Sequence, residues 1–125
     1  MQFDEKLKIW LKENLVTDIP EEVKAFSFNL SEISTNQYSI ELVGAETFDT
    51  EDPDWACDEI WEATPRNIEI PESFASGHWE ECLNKIRVTL SEIIQTEELV
   101  KLELSKKEGI GLGFVDGELE LINLK

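Results

Sequence analysis

Two stretches of alternating residues decide the fold of this chain: AFSFNL at residues 25–30 and YSIEL at residues 38–42. In each stretch every second residue is large and apolar, and the residues between are mostly polar. Such a period of two is typical of a β-strand with one covered face. A short polar segment, residues 31–36, joins the two stretches. We therefore predict an antiparallel pair of strands.

Two amphipathic helices flank this pair. Apolar residues recur at helical spacing over residues 3–15, and the helix must end before Pro20, because the residue before a proline disfavours helical angles. A long helix is predicted from about Gly77, with Ser76 as its N-cap. Residues 96–104 favour either a continuation of this helix or a second short helix.

The remaining strand signals lie in the second half of the chain. A short strand is predicted at residues 67–70, before Pro71. Asp116-Gly117 between two apolar stretches indicates a hairpin with a type I′ turn. The GIGLG stretch at 109–113 lacks the lysine of a phosphate-binding loop, so its glycines indicate a bend or a close backbone approach. The predicted class is α+β: an antiparallel sheet of two hairpins plus a short strand, packed on one face by an N-terminal helix and a long central helix.

Length and composition favour one domain spanning residues 1–125. No apolar run approaches the ~18 residues of a membrane-spanning helix. The N-terminus lacks the basic start and apolar stretch of a signal peptide. Cys57 and Cys82 are too few for a disulfide scaffold, although sequence alone leaves open whether they pair. We expect a cytoplasmic protein.

Negative charge is concentrated in the middle of the chain. The formal net charge is −17, and residues 25–65 contain ten Asp and Glu but no Lys, Arg or His. Such a field repels nucleic acid and anionic membranes and favours a cationic protein partner. The expected partners therefore exclude nucleic acid and membrane, and the oligomeric state is left open.

Half of these acids are crowded into ten residues beside two tryptophans. Tryptophan is enriched among residues that dominate interface energies, and neighbouring acids can pair with a partner's basic residues. We therefore predict a partner-binding surface, although both indoles could instead be core anchors behind a solvated acidic rim. The predicted residues are Asp49, Glu51, Asp52, Asp54, Trp55, Asp58, Glu59, Trp61 and Glu62.

Catalytic chemistry finds little support in the sequence. His78 and Cys82 are spaced i, i+4, but Glu80 and Glu81 beside them disfavour a thiolate, and Cys82 belongs to the apolar stripe. The acidic segment lacks the residue order of an EF-hand calcium loop. We predict no catalytic residue, no metal site and no cofactor.

The residues at 41–44, 48–49 and 52–59 (DPDWACDE), together with GFVDGEL at 113–119, resemble small acidic bacterial immunity proteins of polymorphic toxin systems. The resemblance implies a cytoplasmic α+β protein that neutralises a cognate toxin, frequently a basic nuclease, without catalysis. One alternative is a structural or adaptor subunit of unknown role, for which homo-oligomerisation stays open. A second, less favoured, is a divalent-metal-binding domain or hydrolase.

Overall fold

A computed structural model describes residues 2–17, 19–75, 77–115 and 117–122. The helices are α1 (Phe3–Leu15), α2 (Trp79–Thr96) and α3 (Glu98–Ser105), with a 3-10 helix at Pro53–Cys57. The strands are β1 (Ala25–Ser34), β2 (Gln37–Ala45), β3 (Glu59–Ile70), β4 (Gly109–Phe114) and β5 (Glu120–Leu121). The predicted α+β class and the N-terminal helix are confirmed.

Within the described residues the strands form one five-stranded sheet in the order β3-β2-β1-β4-β5. The predicted β1–β2 hairpin is confirmed, with Phe28 opposite Leu42. The pairs β2–β3 and β4–β5 are also antiparallel. The turn predicted between β4 and β5 includes Asp116, which lies outside the described residues.

The sheet is mixed, which corrects the prediction of a wholly antiparallel sheet. Strand β4 lies beside β1 and runs parallel to it, with Phe28 opposite Leu112. Parallel strands need a long crossover connection, usually helical. Here α2 and α3 belong to the connection that leads the chain from β3 to β4, so β4 enters the sheet in the same direction as β1.

Strand β3 is longer than the predicted strand at 67–70, because it already begins at Glu59. It includes Pro65, which an edge strand tolerates since it needs no ladder hydrogen bond on its outer side. The last three residues of the predicted surface, Glu59, Trp61 and Glu62, therefore lie on a strand rather than in a loop. This change decides which acids remain available on the surface.

The helix boundaries follow local signals. Helix α1 has the predicted bounds, and residues 98–105 form the separate short helix that was one of two alternatives. Helix α2 begins at Trp79, and its N-cap is His78, whose Nδ1 accepts a hydrogen bond from the backbone N–H of Glu80 at 3.4 Å. The predicted cap, Ser76, lies outside the described residues. No helix in the described part of the chain is both long enough and apolar enough to cross a membrane.

The main core lies between one face of the sheet and the helices. Phe26, Phe28 and Leu30 from β1 are fully buried there together with Leu7 of α1 and Ile86 of α2. These are the apolar positions of the alternating and helical patterns in the sequence. Hydrophobic burial of these patterns is therefore what joins sheet and helices.

Asn14 ties α1 to β3. Its side chain is buried, and its amide nitrogen donates to the backbone oxygens of Trp10 (2.9 Å) and Thr64 (3.3 Å). Its Oδ1 accepts a hydrogen bond from the backbone N–H of Thr64 at 2.7 Å. The side-chain amide of Asn14 thus makes both a donated and an accepted hydrogen bond with the backbone of Thr64, as a residue of a neighbouring strand would.

We expect Asn14→Ala to lower the free energy of unfolding by about 1–3 kcal/mol, because it removes a buried amide and leaves the Thr64 backbone without these partners. Urea denaturation measures the change. Glu13→Ala, at an exposed neighbouring position of α1, is the matched control and should stay within about 0.5 kcal/mol of the wild type. Equal effects of the two substitutions would contradict the role given to Asn14.

Candidate functional site

The segment at residues 47–58, here called the acidic loop, is anchored on the second face of the sheet. Trp55 is only 4% exposed and forms a second apolar cluster with Ala25 and Ala45. Phe48 packs against its indole edge-on, with ring centroids 5.1 Å apart. The loop is therefore held by a small core of its own.

The glycines of β4 make room for this second cluster. A Cβ at Gly109 would lie 2.2 Å from the ring of Phe48, and one at Gly111 would lie 2.9 Å from the side chain of Leu119. At Gly113 a Cβ would lie 2.4 Å from the backbone oxygen of Glu118. The close backbone approach predicted from the GIGLG stretch is confirmed.

Three of the predicted acids accept hydrogen bonds within the loop. The Asp49 carboxylate accepts a hydrogen bond from the N–H of Glu51 at 2.9 Å, and Asp52 caps the 3-10 helix by accepting from the N–H of Asp54 at 3.0 Å. Asp58 accepts a hydrogen bond from the Thr47 hydroxyl at 2.7 Å. Short acidic side chains commonly stabilise turns and caps in this way.

The carboxylates of the loop nevertheless face solvent. Asp49, Glu51, Asp52, Asp54 and Asp58 are all exposed. Within the described residues none of them makes an ion pair with Lys, Arg or His. The loop thus presents five negative charges that no described neighbour neutralises.

Glu59 and Glu62 differ from these five, because both pair with Arg66. The guanidinium lies 2.6 Å from the carboxylate of Glu59, 2.7 Å from that of Glu62, and 2.9 Å from that of Glu41. Hydrogen bonding to Arg66 holds the pKa of Glu59 below its usual range. These two acids therefore belong to a cluster of ion pairs on β2 and β3, and not to the group of unpaired acids on the loop.

Arg66 is the residue that the sequence prediction missed. It is the first basic residue after the segment without bases, and the extension of β3 brings it beside the acids. Alternation gives no signal for this contact, because the register of β3 against β2 shifts between Glu62 and Asn67.

The two tryptophans of the predicted surface are structural anchors. Trp55 is buried, and Trp61 is partly buried on the opposite face of the sheet, edge-on to Phe26 with centroids 5.7 Å apart. The alternative in which these indoles stabilise the fold is therefore the one that the structure shows. The five acids of the loop, without the indoles, are the exposed and unpaired part of the predicted surface.

The cysteines are both free thiols, Cys57 exposed and Cys82 buried. Burial, together with the charge of the nearby Glu81, raises the pKa of Cys82 to about 11, so that this side chain stays a thiol at neutral pH. Among the described residues no three or more His, Cys, Asp and Glu side chains are placed so as to hold a metal ion.

Comparison of the chain with protein-family models, with curated proteins and with solved structures finds no match.

We expect Trp55→Ala to lower the free energy of unfolding by about 3–5 kcal/mol, because it leaves a cavity under the acidic loop. Chemical denaturation measures the loss. Trp79→Ala removes an indole that is 47% exposed and is the matched control, with a clearly smaller loss. Two equal losses would show that Trp55 is no special anchor.

We expect Arg66→Gln to lower the free energy of unfolding by about 1–2 kcal/mol at pH 7, because three carboxylates lose their shared partner. The pKa of Glu59 is lowered in the folded protein, so its stabilising contribution is present above the ordinary value of 4.5 and is lost as the pH falls through the lowered folded pKa. The difference from the wild type should therefore shrink below about pH 4.5.

Denaturation curves at several pH values measure this difference for Arg66→Gln. Arg87→Gln is the control, since Arg87 pairs with the single carboxylate of Glu120. A difference between Arg66→Gln and the wild type that grows with acid would contradict the assignment.

Proposed function

We propose that this chain is a non-enzymatic protein-binding domain, an immunity-type inhibitor that neutralises a cationic toxin-like protein in the cytoplasm. The observation that carries the proposal is the acidic loop, with five exposed carboxylates unpaired among the described residues. The resemblance to immunity proteins indicates the class of partner, which is a toxin. A basic nuclease is the toxin that this surface suits best.

The distribution of ion pairs supports this proposal. Several of the chain's few bases are paired with acids away from the loop: Lys8 and Lys12 with Glu97, Lys85 with Glu81, and Arg87 with Glu120. Each close pair of like charges on an exposed loop costs on the order of 0.5 kcal/mol. A cationic partner would relieve this repulsion when it binds.

The anchoring of the loop also supports binding. Trp55 and Phe48 fix the loop on the sheet, and Asp49, Asp52 and Asp58 accept hydrogen bonds within it. A surface that is already ordered loses less conformational entropy on association. The segment that carries the acids is therefore ordered before any partner arrives.

The chemistry of a nuclease explains how such a surface would inhibit. An enzyme that binds nucleic acid needs Lys and Arg to neutralise phosphates, and this need gives it a basic surface. Carboxylates in a fixed arrangement compete for those same side chains. Complementary charge also raises the association rate, which allows early capture of the toxin.

The test reverses the charge of acids that do not hold the loop together. Glu51→Lys with Asp54→Lys changes the loop by four charges and spares the side-chain hydrogen bonds of Asp49, Asp52 and Asp58. Glu21→Lys with Glu22→Lys makes the same change at two exposed positions elsewhere and is the matched control.

The wild type, immobilised at low salt, should retain a basic protein whose toxicity in co-expression it suppresses. The loop variant should bind that protein at least about tenfold more slowly and protect less well, and the difference should fade at high ionic strength. The control variant should behave like the wild type. Equal association rates of loop and control variants would exclude the acidic loop as the binding surface.

A further inference from the structure

A cavity of about 610 Å³ opens beside the N-terminus of α2, where that helix meets the end of the sheet. Its walls come from three separate parts of the chain: the β1–β2 hairpin, the start of α2 and the end of β4. The residues used below are Glu32, Asn36, Tyr38, His78, Trp79 and Phe114.

Aromatic rings form one side of this cavity, which is called the aromatic cavity below. The rings of Tyr38 and Phe114 are edge-on with centroids 5.7 Å apart, and those of Trp79 and Phe114 are edge-on at 5.8 Å. Tyr38 is buried, and its hydroxyl donates a hydrogen bond to the backbone oxygen of Gly77 at 3.1 Å. The aromatic wall is therefore fixed in place.

Trp79 is the exception among these rings, because its indole is 47% exposed. The packing of α2 does not require an aromatic residue at this position, because Trp79 is the first residue of the helix and the buried stripe begins only at Cys82. An indole on the wall of a cavity offers a flat face to a ligand, and tryptophan is the best aromatic partner for a cation.

The rim of the cavity is negative. The carboxylate of Glu32 accepts a hydrogen bond from the backbone N–H of Asn36 at 3.0 Å, which fixes its position. Burial raises the pKa of Tyr38, and the charges of Glu32 and Glu81 raise it further, as expected where negative potential reaches the aromatic wall. Among the described residues that line the cavity there is no Lys or Arg.

This cavity adjoins the surface proposed for the partner. A second cavity of about 400 Å³ is lined by Asp54 of the acidic loop and by Glu59, and it shares Phe114, Val115 and Gly117 with the aromatic cavity. A protein bound at the acidic loop would therefore lie next to the aromatic cavity. The two features form one continuous candidate interface.

We propose that the aromatic cavity receives an arginine side chain of the cationic protein partner. The inference rests on the proposed function and names the contact that would fix the partner's orientation. A guanidinium is planar, stacks on aromatic faces and has five N–H donors for acceptors such as Glu32 and Asn36. A lysine ammonium is a compact charge that matches this combination of flat aromatic rings and hydrogen-bond acceptors less well.

The first test uses N-acetyl-L-arginine amide as the probe at constant ionic strength, with the indole N–H signal of Trp79 followed by NMR. We expect a saturable shift of this signal. N-acetyl-L-citrulline amide has nearly the same shape without the charge and should bind at least about threefold more weakly, as should N-acetyl-L-lysine amide. Equal binding of the citrulline or lysine derivative, or no saturable shift, would overturn the inference.

Variants locate the site. Glu32→Gln should weaken arginine amide binding about threefold or more, and Trp79→Leu, followed by the ring signals of Phe114, should do the same. Glu92→Gln and Val88→Ala, at exposed positions of α2, are the matched controls and should leave binding unchanged. If the control variants weaken binding as much as the cavity variants do, the probe binds elsewhere and the inference falls.

Kinetics with a captured partner separate this inference from the proposed function. Variants of the acidic loop should slow association, whereas Trp79→Leu should speed dissociation, because the cavity makes a short-range contact. If Trp79→Leu leaves dissociation unchanged while the loop variants slow association, the cavity inference is wrong and the proposed function stands. If the loop variants leave association unchanged, the proposed function fails and the cavity inference, which rests on it, fails too.

Discussion

The packing of Trp55 and Phe48 on the second face of the sheet is the contact on which the surface of this protein depends. Without it, residues 47–58 would be a segment of mutually repelling carboxylates with little to order them. Burial of a large indole is worth several kcal/mol, whereas each exposed like-charge pair costs about 0.5 kcal/mol. The apolar contact therefore outweighs the repulsion and keeps the charges together.

The glycines of β4 are the backbone counterpart of this packing. Phe48 and Leu119 lie directly over Gly109 and Gly111, where a side chain would displace them. Strand β4 therefore presents a nearly bare backbone to the loop on one face and Ile110 and Leu112 to the main core on the other. A strand of small and large residues in alternation thus joins two apolar clusters.

The acidic residues fall into two groups within the described structure: those paired with a basic side chain and those without such a partner. Arg66 gathers Glu41, Glu59 and Glu62 into a cluster that stabilises the edge of the sheet, and the five acids of the loop have no such partner among the described residues. Long-range attraction and short-range recognition would then have separate places in the proposed interface. The loop would draw a basic protein in, and the aromatic cavity would hold one of its side chains.

The sequence by itself determined the local elements. The bounds of α1, the β1–β2 hairpin and the close approach at the glycines of β4 all follow from the period of apolar residues or from the lack of a side chain, which act between near neighbours. The acids of the loop were equally evident from composition. Tertiary structure alone decided that β4 lies parallel to β1 and that Trp55 is buried. It also decided that Arg66 reaches Glu41, and that the rings of Tyr38, Trp79 and Phe114 meet around one cavity. Each of these depends on contacts between residues distant in the chain, and periodicity records which face of an element is apolar without recording what covers it.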